Sequence, residues 1–469
     1  MNETPWHEPL GGLDATFLQL EDRTAHMHVG SVAVFRGRPP AYDEFVAHVN
    51  SRLPRVPRYR QRLAFVPLSL GRPSWIDDDA FDIEYHVRHV ALPHPGDDAA
   101  LATLAARLFS QRLDRDKPLW ELTLVEGLAD DRFAIISKTH HCMIDGVSGV
   151  DLATVLLDPH KNAPDLVDAP LWCPRPAPGA RSLAVAALRD QVAAPIEAPF
   201  AIARSLWAKR NGGSVDQSVD DGAFGRAKET AKLLLGGLKP LLSIAAAGRA
   251  PVSSINVPLS AHRRWETLAF DLGAVKQVRA SLGGTVNDVV LAVVAGAMRT
   301  FLMARNESVV EDLRVMVPVS VRPQQDRGKL GNQVAAIFCD LPVHEASAAE
   351  RLRIVSKTMT GLKQTKQAVG ALALTKLSDF APPTLAAQAA RLSVANPWFN
   401  LVVTNVPGPQ QPIYLRGREL LHCHPLVPLA ARQTIGIALL SYNGHIDVGL
   451  LGDADRTRDL PVLKQALLD

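Results

Sequence analysis

Two stretches of alternating strand and helix patterns, separated by a proline-interrupted middle, most constrain how this chain can fold. Residues 1–160 and 256–469 both carry apolar alternation typical of strands beside the spacing typical of helices. Between them, residues 161–255 hold helical patterns that prolines interrupt. With 469 residues, the chain is long enough for more than one domain. The pattern predicts an α/β protein with an N-terminal domain, a linker containing helical segments, and a C-terminal domain.

Within the two blocks, local patterns predict particular elements. In the first block we expect helices over residues 41–52 and 101–113, and strands over residues 28–35, 121–125 and 133–137. In the last block we expect strands over residues 265–271, 313–319, 333–340 and 400–405. Thr285 and Asp288 resemble a capping box that starts a helix reaching about Leu302. Asn443-Gly444, between two alternating runs, predicts a hairpin with a type I′ turn.

The sequence does not decide what the helical part of the middle segment packs against. Apolar residues recur at helical spacing from Ala231 to Leu242, with lysines beside the stripe. Such a helix could pack on a domain, or it could touch a membrane or a lipid droplet. The most apolar run, Val289 to Met298, stops at Arg299, short of the roughly 20 residues that a membrane span needs. Since no signal peptide pattern opens the chain, we expect a cytoplasmic protein, with peripheral contact to membrane or lipid inclusions as a further expectation.

Charge and cysteine content narrow the classes of partner. The formal net charge of +3 is too small to indicate nucleic acid, and no basic run is interleaved with aromatic residues. The four cysteines are scattered and form no CxxC pair, which fits a reducing cytoplasm.

The sharpest local feature is Thr139 to Gly146, which reads Thr-His-His-Cys-Met-Ile-Asp-Gly and follows an apolar strand. A neutral imidazole at a strand end can face a cleft and accept a proton near pH 7, as a general base for an alcohol must. Asp145 could hold the loop or the ring, and Gly146 permits a tight turn. Taken alone, the segment could equally be a polar loop, and a metal site would need a third spaced ligand that it lacks.

The run from His140 to Gly146 matches HHxxxDG, and so resembles acyltransferases related to chloramphenicol acetyltransferase and to peptide-synthetase condensation domains. Further segments narrow the resemblance to the wax ester synthase/diacylglycerol acyltransferase family. These segments are Leu13 to Phe17, Pro118-Leu119-Trp120, Asn287-Asp288 and Asn405 to Pro409. The resemblance keeps this order over nearly the whole chain, and the linker matches least.

The resemblance implies two chloramphenicol-acetyltransferase-like domains with the active site in a channel between them. It implies transfer of a fatty acyl group from acyl-CoA, a substrate rather than a cofactor, to diacylglycerol or to a long-chain alcohol. It makes His141 the catalytic residue and His140 its neighbour. Elementary chemistry agrees, because a histidine can take the hydroxyl proton, let the oxygen attack the thioester, and then protonate the leaving thiolate without a metal.

For several polar residues the sequence allows either a role at the active site or a structural role. Asn287 either lies near the site or only ends a helix, and Asp288 belongs to the capping box. Asp145 favours a structural role, with Arg314 or Arg322 as its ion-pair partner.

Trp120, at the start of a strand, favours core packing or a contact between domains over contact with substrate. Asn405 opens either a shaped loop at the channel or a plain turn.

Three histidine pairs raise the question of a metal. Residues two apart on a strand face the same side, but each pair lacks an evident cysteine or carboxylate at ligand spacing. Structural or surface roles are therefore favoured, and we expect no metal site. The pairs are His26 with His28, His86 with His89, and His422 with His424.

Three other functions use the same pattern. A condensation domain would use the same histidine, but such domains usually adjoin a carrier module, for which we see no segment. The second is a non-catalytic lipid-binding protein. Loss of the motif histidine would support it, but that histidine is present as His141. An acyltransferase with a small acceptor is separated from one with a lipid acceptor only by testing acceptors.

Overall fold

Two six-stranded sheets organise the chain in a computed structural model. It describes residues 6–143, 155–162, 171–189, 248–320, 334–364 and 398–469. Among the predicted site residues, Asp145, Gly146 and Arg322 lie outside the described residues. The apolar stripe from Ala231 to Leu242 and its alternative surroundings also lie outside them.

The described part of the N-terminal half begins with a short strand and a helix. Its elements, in chain order, are β1 (Glu8–Pro9), α1 (Gly12–Leu20), β2 (His28–Arg36), α2 (Tyr42–Arg52), β3 (Gln61–Ala64), β4 (Ser74–Asp77), α3 (Ile83–His86), β5 (Val87–Ala91), α4 (Asp98–Phe109), β6 (Trp120–Leu128) and β7 (Arg132–His140). A further helical segment covers residues 180–189.

The described part of the C-terminal half alternates in the same way. Its elements are β8 (Arg263–Asp271), α5 (Leu272–Leu282), α6 (Val286–Ala304), β9 (Leu313–Ser320), β10 (Val334–Leu341), α7 (Ala348–Gln364), β11 (Leu401–Pro407), β12 (Tyr414–Leu415), β13 (Arg418–Leu426), β14 (Ile435–Tyr442), β15 (His445–Asp453) and α8 (Leu460–Leu468).

The strand order ties the two halves together. The first sheet runs β12-β13-β2-β7-β6-β5, and the second runs β10-β9-β11-β14-β15-β8. Most neighbours are antiparallel, whereas β5 with β6, and β11 with both β9 and β14, are parallel. Strands β12 and β13 come late in the chain yet complete the first sheet, where β13 pairs with β2. A division of the chain at residue 256 therefore separates the first sheet from two of its strands.

Local signals in the sequence agree closely with the elements. The capping box is present, since the Asp288 N–H donates to Thr285 Oγ1 at 3.2 Å and the Thr285 N–H donates to Asp288 Oδ2 at 2.8 Å. The predicted hairpin joins β14 to β15, and positive φ angles of 42° at Asn443 and 85° at Gly444 fit the type I′ turn.

The helix predicted over residues 101–113 is displaced. It runs from Asp98 to Phe109, because the Asp97 side chain accepts the Ala100 N–H at 2.8 Å and so caps an earlier start. At its end Ser110 is the C-cap, and its hydroxyl donates to the Ala106 carbonyl at 2.7 Å.

Helix α6 is more apolar than the sequence expectation allowed. Its 19 residues have a mean hydropathy of 1.6 and suffice by length and composition to cross a membrane, but 61% of that window is buried. The sequence expectation counted only the apolar run up to Arg299 and found it too short for a span, whereas the whole helix, with Arg299 inside it, reaches that length. The Arg299 guanidinium donates to the carbonyls of Val343 and His344. Met298 and Phe301 are wholly buried in the core of the second half, as expected of a core helix.

The two sheets approach each other closely where β15 passes β13. A Cβ atom built on Gly449 would lie 1.9 Å from the Pro425 carbonyl oxygen, and 3.4 Å from the Trp265 ring nitrogen. Only glycine allows this approach, because the clash is with backbone that belongs to the other sheet.

We therefore expect Gly449→Ala to lower the free energy of unfolding in urea by about 1–3 kcal/mol, the range for overpacked interiors. Gly361→Ala is the control, since Gly361 lies within α7 and a Cβ atom added to it would meet no atom within 4 Å. This control should raise stability by about 0.5–1 kcal/mol, because alanine favours a helix over glycine. Equal effects of the two substitutions would contradict the steric explanation.

Candidate active site

The backbone turns sharply at the end of β7, and three hydrogen bonds fix the turn. The His140 N–H donates to the Leu119 carbonyl at 2.9 Å, and the His141 N–H donates to the Met27 carbonyl at 2.7 Å. The Met143 N–H then donates back to the His140 carbonyl at 2.9 Å. The Pro118-Leu119-Trp120 segment thus has a direct role, because its middle carbonyl holds the first histidine of the motif.

The His141 imidazole lies flat against an aromatic ring. Its centroid is 4.0 Å from that of Phe17, with an angle of 18° between the planes. Phe17 is on α1, in the segment Leu13 to Phe17, and the His141 residue is partly exposed. The stacking restricts the plane of the imidazole in a residue that is partly exposed.

The His140 imidazole is held at both nitrogens. Its Nδ1 accepts the Cys142 N–H at 3.1 Å, so the ring proton is assigned to Nε2, which lies 2.7 Å from Glu21 Oε2. The side chain is only 1% exposed. Burial lowers the pKa of His140, although Glu21 acts in the opposite direction. His140 is therefore a neutral anchor for the turn.

Glu21 is the buried partner that the sequence interpretation missed. Its carboxylate also accepts from Arg112 Nε at 2.8 Å and lies 3.6 Å from Arg115. Burial raises the pKa of Glu21, but the hydrogen bond from His140 and the charge of Arg115 outweigh burial and hold the pKa far below its usual range. No nearby residue marks this role in the sequence, because Glu21 follows the last residue of α1 and its partners come from the end of β7 and from the segment after α4.

Asn287 and Asn405 are brought together although they are far apart in the chain. Asn405 Nδ2 donates to Asn287 Oδ1 at 3.4 Å, and both residues are partly buried. Asp288 instead faces the helix start, where it caps α6 and accepts the Ser356 hydroxyl at 3.3 Å. Of the two candidates, Asn287 is thus the one that meets a second predicted site residue.

The expectation that Asn405 opens a loop or a turn is wrong, because Asn405 lies within β11, which pairs with β14 as far as Pro407. The segment that follows β11, called here the Asn405 loop, packs on β14. The Gly408 N–H donates to the Ser441 carbonyl at 2.9 Å, and a Cβ on Gly408 would lie 2.5 Å from that oxygen. Leu440, the neighbour of Ser441, packs against the apolar cluster that contains Cys142 and Met143. One apolar cluster therefore adjoins both the histidine turn and the Asn405 loop.

Two other predicted residues lie apart from this chemistry. Trp120 is 1% exposed, stacks on His86 with centroids 4.6 Å apart, and donates to the Tyr59 carbonyl at 2.8 Å. It is a core residue of the N-terminal half. Arg314 pairs with Asp340 at 2.7 Å, and its proposed partner Asp145 lies outside the described residues.

The histidine pairs of the N-terminal half sit in structural positions. His86 Nδ1 lies 2.8 Å from the Trp120 carbonyl, and His89 lies 3.4 Å from Glu126. The rings of His26 and His28 are 5.5 Å apart, and His28 is 6.1 Å from the His140 ring.

Comparison with known proteins gives a consistent result along the chain. Residues 10–290 match the family model of the wax ester synthase/diacylglycerol acyltransferase catalytic domain, and residues 330–469 match the WS/DGAT C-terminal domain. A Mycobacterium tuberculosis protein named probable diacylglycerol O-acyltransferase tgs2 is 36% identical over 97% of this chain and 95% of its own. Another from that species, named tgs1, is 33% identical over 97% of this chain and 93% of its own.

Solved structures resemble the whole chain. The wax ester synthase/diacylglycerol acyltransferase from Marinobacter aquaeolei VT8 is 28% identical, with a TM-score of 0.64 and 98% of both chains covered. The first condensation domain of the calcium-dependent antibiotic synthetase is 15% identical, with a TM-score of 0.58 over 99% of this chain and 95% of its own, and shows the fold alone. The predicted α/β fold of two chloramphenicol-acetyltransferase-like halves is confirmed.

The buried histidines next to the turn predict a loss of stability in acid. Burial lowers the pKa of His28 well below its usual 6.5, so the folded chain keeps the ring neutral while the unfolded chain protonates it. The free energy of unfolding should therefore fall as the pH drops below about 6.5. We expect His28→Leu to recover up to about 2 kcal/mol of the loss between about pH 7 and about pH 5.

Urea unfolding at both pH values measures this effect. His160→Leu is the control, because His160 is exposed and its removal should leave the pH dependence unchanged. A pH dependence in His28→Leu as steep as that of the wild type would contradict the explanation.

Proposed function

The chain belongs to the wax ester synthase/diacylglycerol acyltransferase family and is an acyltransferase, and we propose that it moves a fatty acyl group from coenzyme A to diacylglycerol or to a long-chain alcohol. The names of its Mycobacterium relatives support the diacylglycerol acceptor. The name of the Marinobacter structure includes both wax ester and diacylglycerol chemistry and supports both acceptors.

His141 is the general base in this proposal. The observation that carries it is the difference in burial between the two adjacent residues: His140 is buried against Glu21, whereas His141 is partly exposed and stacked on Phe17. His141 takes the proton of the acceptor hydroxyl as the oxygen attacks the thioester carbonyl. The tetrahedral oxyanion then collapses, and protonated His141 gives its proton to the coenzyme A thiolate. Acyl-CoA is a substrate here, and no separate cofactor enters the proton transfers.

The stack on Phe17 supports this role physically. A base works only within hydrogen-bond reach of the hydroxyl, and a ring free to rotate about its side chain would spend less time there. The hydrogen bond from the His141 N–H to Met27 fixes the backbone, and Phe17 restricts the ring. Asn287 and Asn405 are proposed as polar residues that orient substrate from the other half.

We expect His141→Ala to slow acceptor-dependent thiol release from palmitoyl-CoA by about 10²–10⁴-fold, the usual contribution of a positioned general base. Diacylglycerol and hexadecanol are supplied separately, so the same assay identifies the acceptor class. His160→Ala is the matched control, because this exposed histidine lies outside the site and should keep wild-type rates.

Each other outcome points to a different function. Release that needs an acceptor but continues in His141→Ala would refute His141 as the base. Release only with small alcohols would favour a small-acceptor enzyme. Wild-type protein that binds palmitoyl-CoA but releases no thiol with any acceptor would favour a lipid-binding protein.

We also propose that the protein acts in the cytoplasm and touches a lipid surface peripherally, through an exposed apolar patch of the N-terminal half. Phe65 and Leu68 are 48% and 90% exposed, and Val185 of the segment 180–189 is 59% exposed. The segment lies against this loop, since a Cβ on Gly71 would be 2.5 Å from that of Ala187. Such side chains insert among lipid headgroups, and the exposed Arg181 and Arg189 would favour anionic lipids.

We expect Leu68→Asp to weaken sedimentation with phosphatidylglycerol-containing vesicles by at least about 10-fold, since a buried leucine side chain contributes about 1.5–3 kcal/mol. Val310→Asp is the control, because Val310 is 78% exposed and lies in the C-terminal half, away from the patch. Equal binding of wild type and Leu68→Asp would place any lipid contact elsewhere.

A further inference from the structure

A compact group of metal-ligating side chains lies between the two sheets, apart from the histidine turn. His422 and His424 of β13 meet Asp447 of β15, and one ligand atom from each lies within 4.8 Å of the others. His422 Nδ1 is 2.8 Å from Asp447 Oδ1, and the two imidazoles are stacked with centroids 5.6 Å apart. We propose that these three side chains form a site for a divalent transition-metal ion, with Zn²⁺ as the best-matched ion.

The structure supplies the ligand whose absence weighed against this pair in the sequence. His422 and His424 are two apart on a strand and face the same side. The missing carboxylate comes from Asp447, which is on a strand of the other sheet and wholly buried. Sequence spacing could not reveal it, because the crossing of β13 over β15 creates the neighbourhood.

Hydrogen bonds already orient two of the three ligands. His424 Nδ1 lies 3.2 Å from the Val448 carbonyl, which fixes a proton on Nδ1 and leaves Nε2 unprotonated for a cation. The Cys423 N–H donates to Asp447 Oδ2 at 2.7 Å, which leaves Oδ1 directed at His422. Metal-binding histidines and carboxylates are commonly held in this way: one polar atom of the side chain hydrogen-bonds to a backbone group, and the second binds the ion.

Ligand type and access favour zinc over harder ions. Two imidazoles and one carboxylate suit Zn²⁺, whereas Mg²⁺ and Ca²⁺ prefer oxygen ligands. The His422 side chain is 36% exposed and gives the ion a route from solvent. Water fills the fourth position of a tetrahedral site, and the exposed His445, whose ring is 5.6 Å from that of His422, borders it.

Binding here would join the two sheets. β13 belongs to the first sheet and β15 to the second, so one ion would link strands that are not paired with each other. Such an ion binds the folded chain and not the unfolded one, and so stabilises the fold. The competing explanation is a plain ion pair between His422 and Asp447, which would link the same strands without a metal.

Zn²⁺ titration of the chelator-treated full chain separates the two explanations. We expect calorimetry to show one Zn²⁺ per chain and a rise in melting temperature that a chelator reverses. His422→Gln should fold, since His422 is partly exposed, and should weaken binding by more than about 10-fold, the low end of the cost of losing even an outer ligand partner. Asp447→Asn, which keeps the side-chain shape, provides a second test.

His344→Gln is the matched control. His344 Nδ1 lies 2.6 Å from Asp312 Oδ1, so it forms the same kind of pair without a second histidine, and its loss should leave zinc affinity unchanged. Zinc binding that is equal in wild type and His422→Gln would overturn the proposal. So would a wild-type chain that neither binds Zn²⁺ nor gains melting temperature from it.

Discussion

The buried carboxylate of Glu21 is the interaction on which the histidine turn depends. It interacts with side chains from two other parts of the chain: His140 at the end of β7, and Arg112 and Arg115 after α4. Leaving one member of such a buried group without its partner typically costs about 3–5 kcal/mol, against a total stability of about 5–15 kcal/mol for a domain. Two adjacent histidines can therefore differ in role: Glu21 holds His140, and His141 is left for the proton transfers that we propose.

The second constraint is the exchange of strands between the halves. β13 closes on β2 in the first sheet, while β14 and β15 remain in the second. Tyr442, at the end of β14, reinforces this, since its hydroxyl accepts the Ile413 N–H and donates to the Leu420 carbonyl. Asp447 and Gly449 face β13 from alternate positions of β15. The halves are thus interlocked by the strand exchange and by these hydrogen bonds, which hold residues from distant parts of the chain at a fixed spacing.

Helix caps and turns could be predicted from the sequence, whereas contacts between residues far apart in the chain could not. The capping box at Thr285 and the turn at Asn443 depend on residues within a few positions, so their sequence signals suffice. The motif histidine and its family segments were also recognisable. In contrast, Glu21 and Asp447 gain their roles from strands and helices that meet only after folding, and nothing near them in sequence marks those roles.

The choice of His141 as base follows from what its neighbours cannot do. His28 is buried beside His140, and burial lowers its pKa well below the usual range, which disfavours the protonated form that a general base must pass through. His140 could accept a proton only at Nδ1, and that nitrogen already accepts the Cys142 N–H, so acting as a base would leave this buried N–H without its partner. His141 is partly exposed, and the stacked Phe17 restricts its imidazole through the face of the ring. An aromatic support is therefore suited to a base that must gain and lose a proton in every turnover.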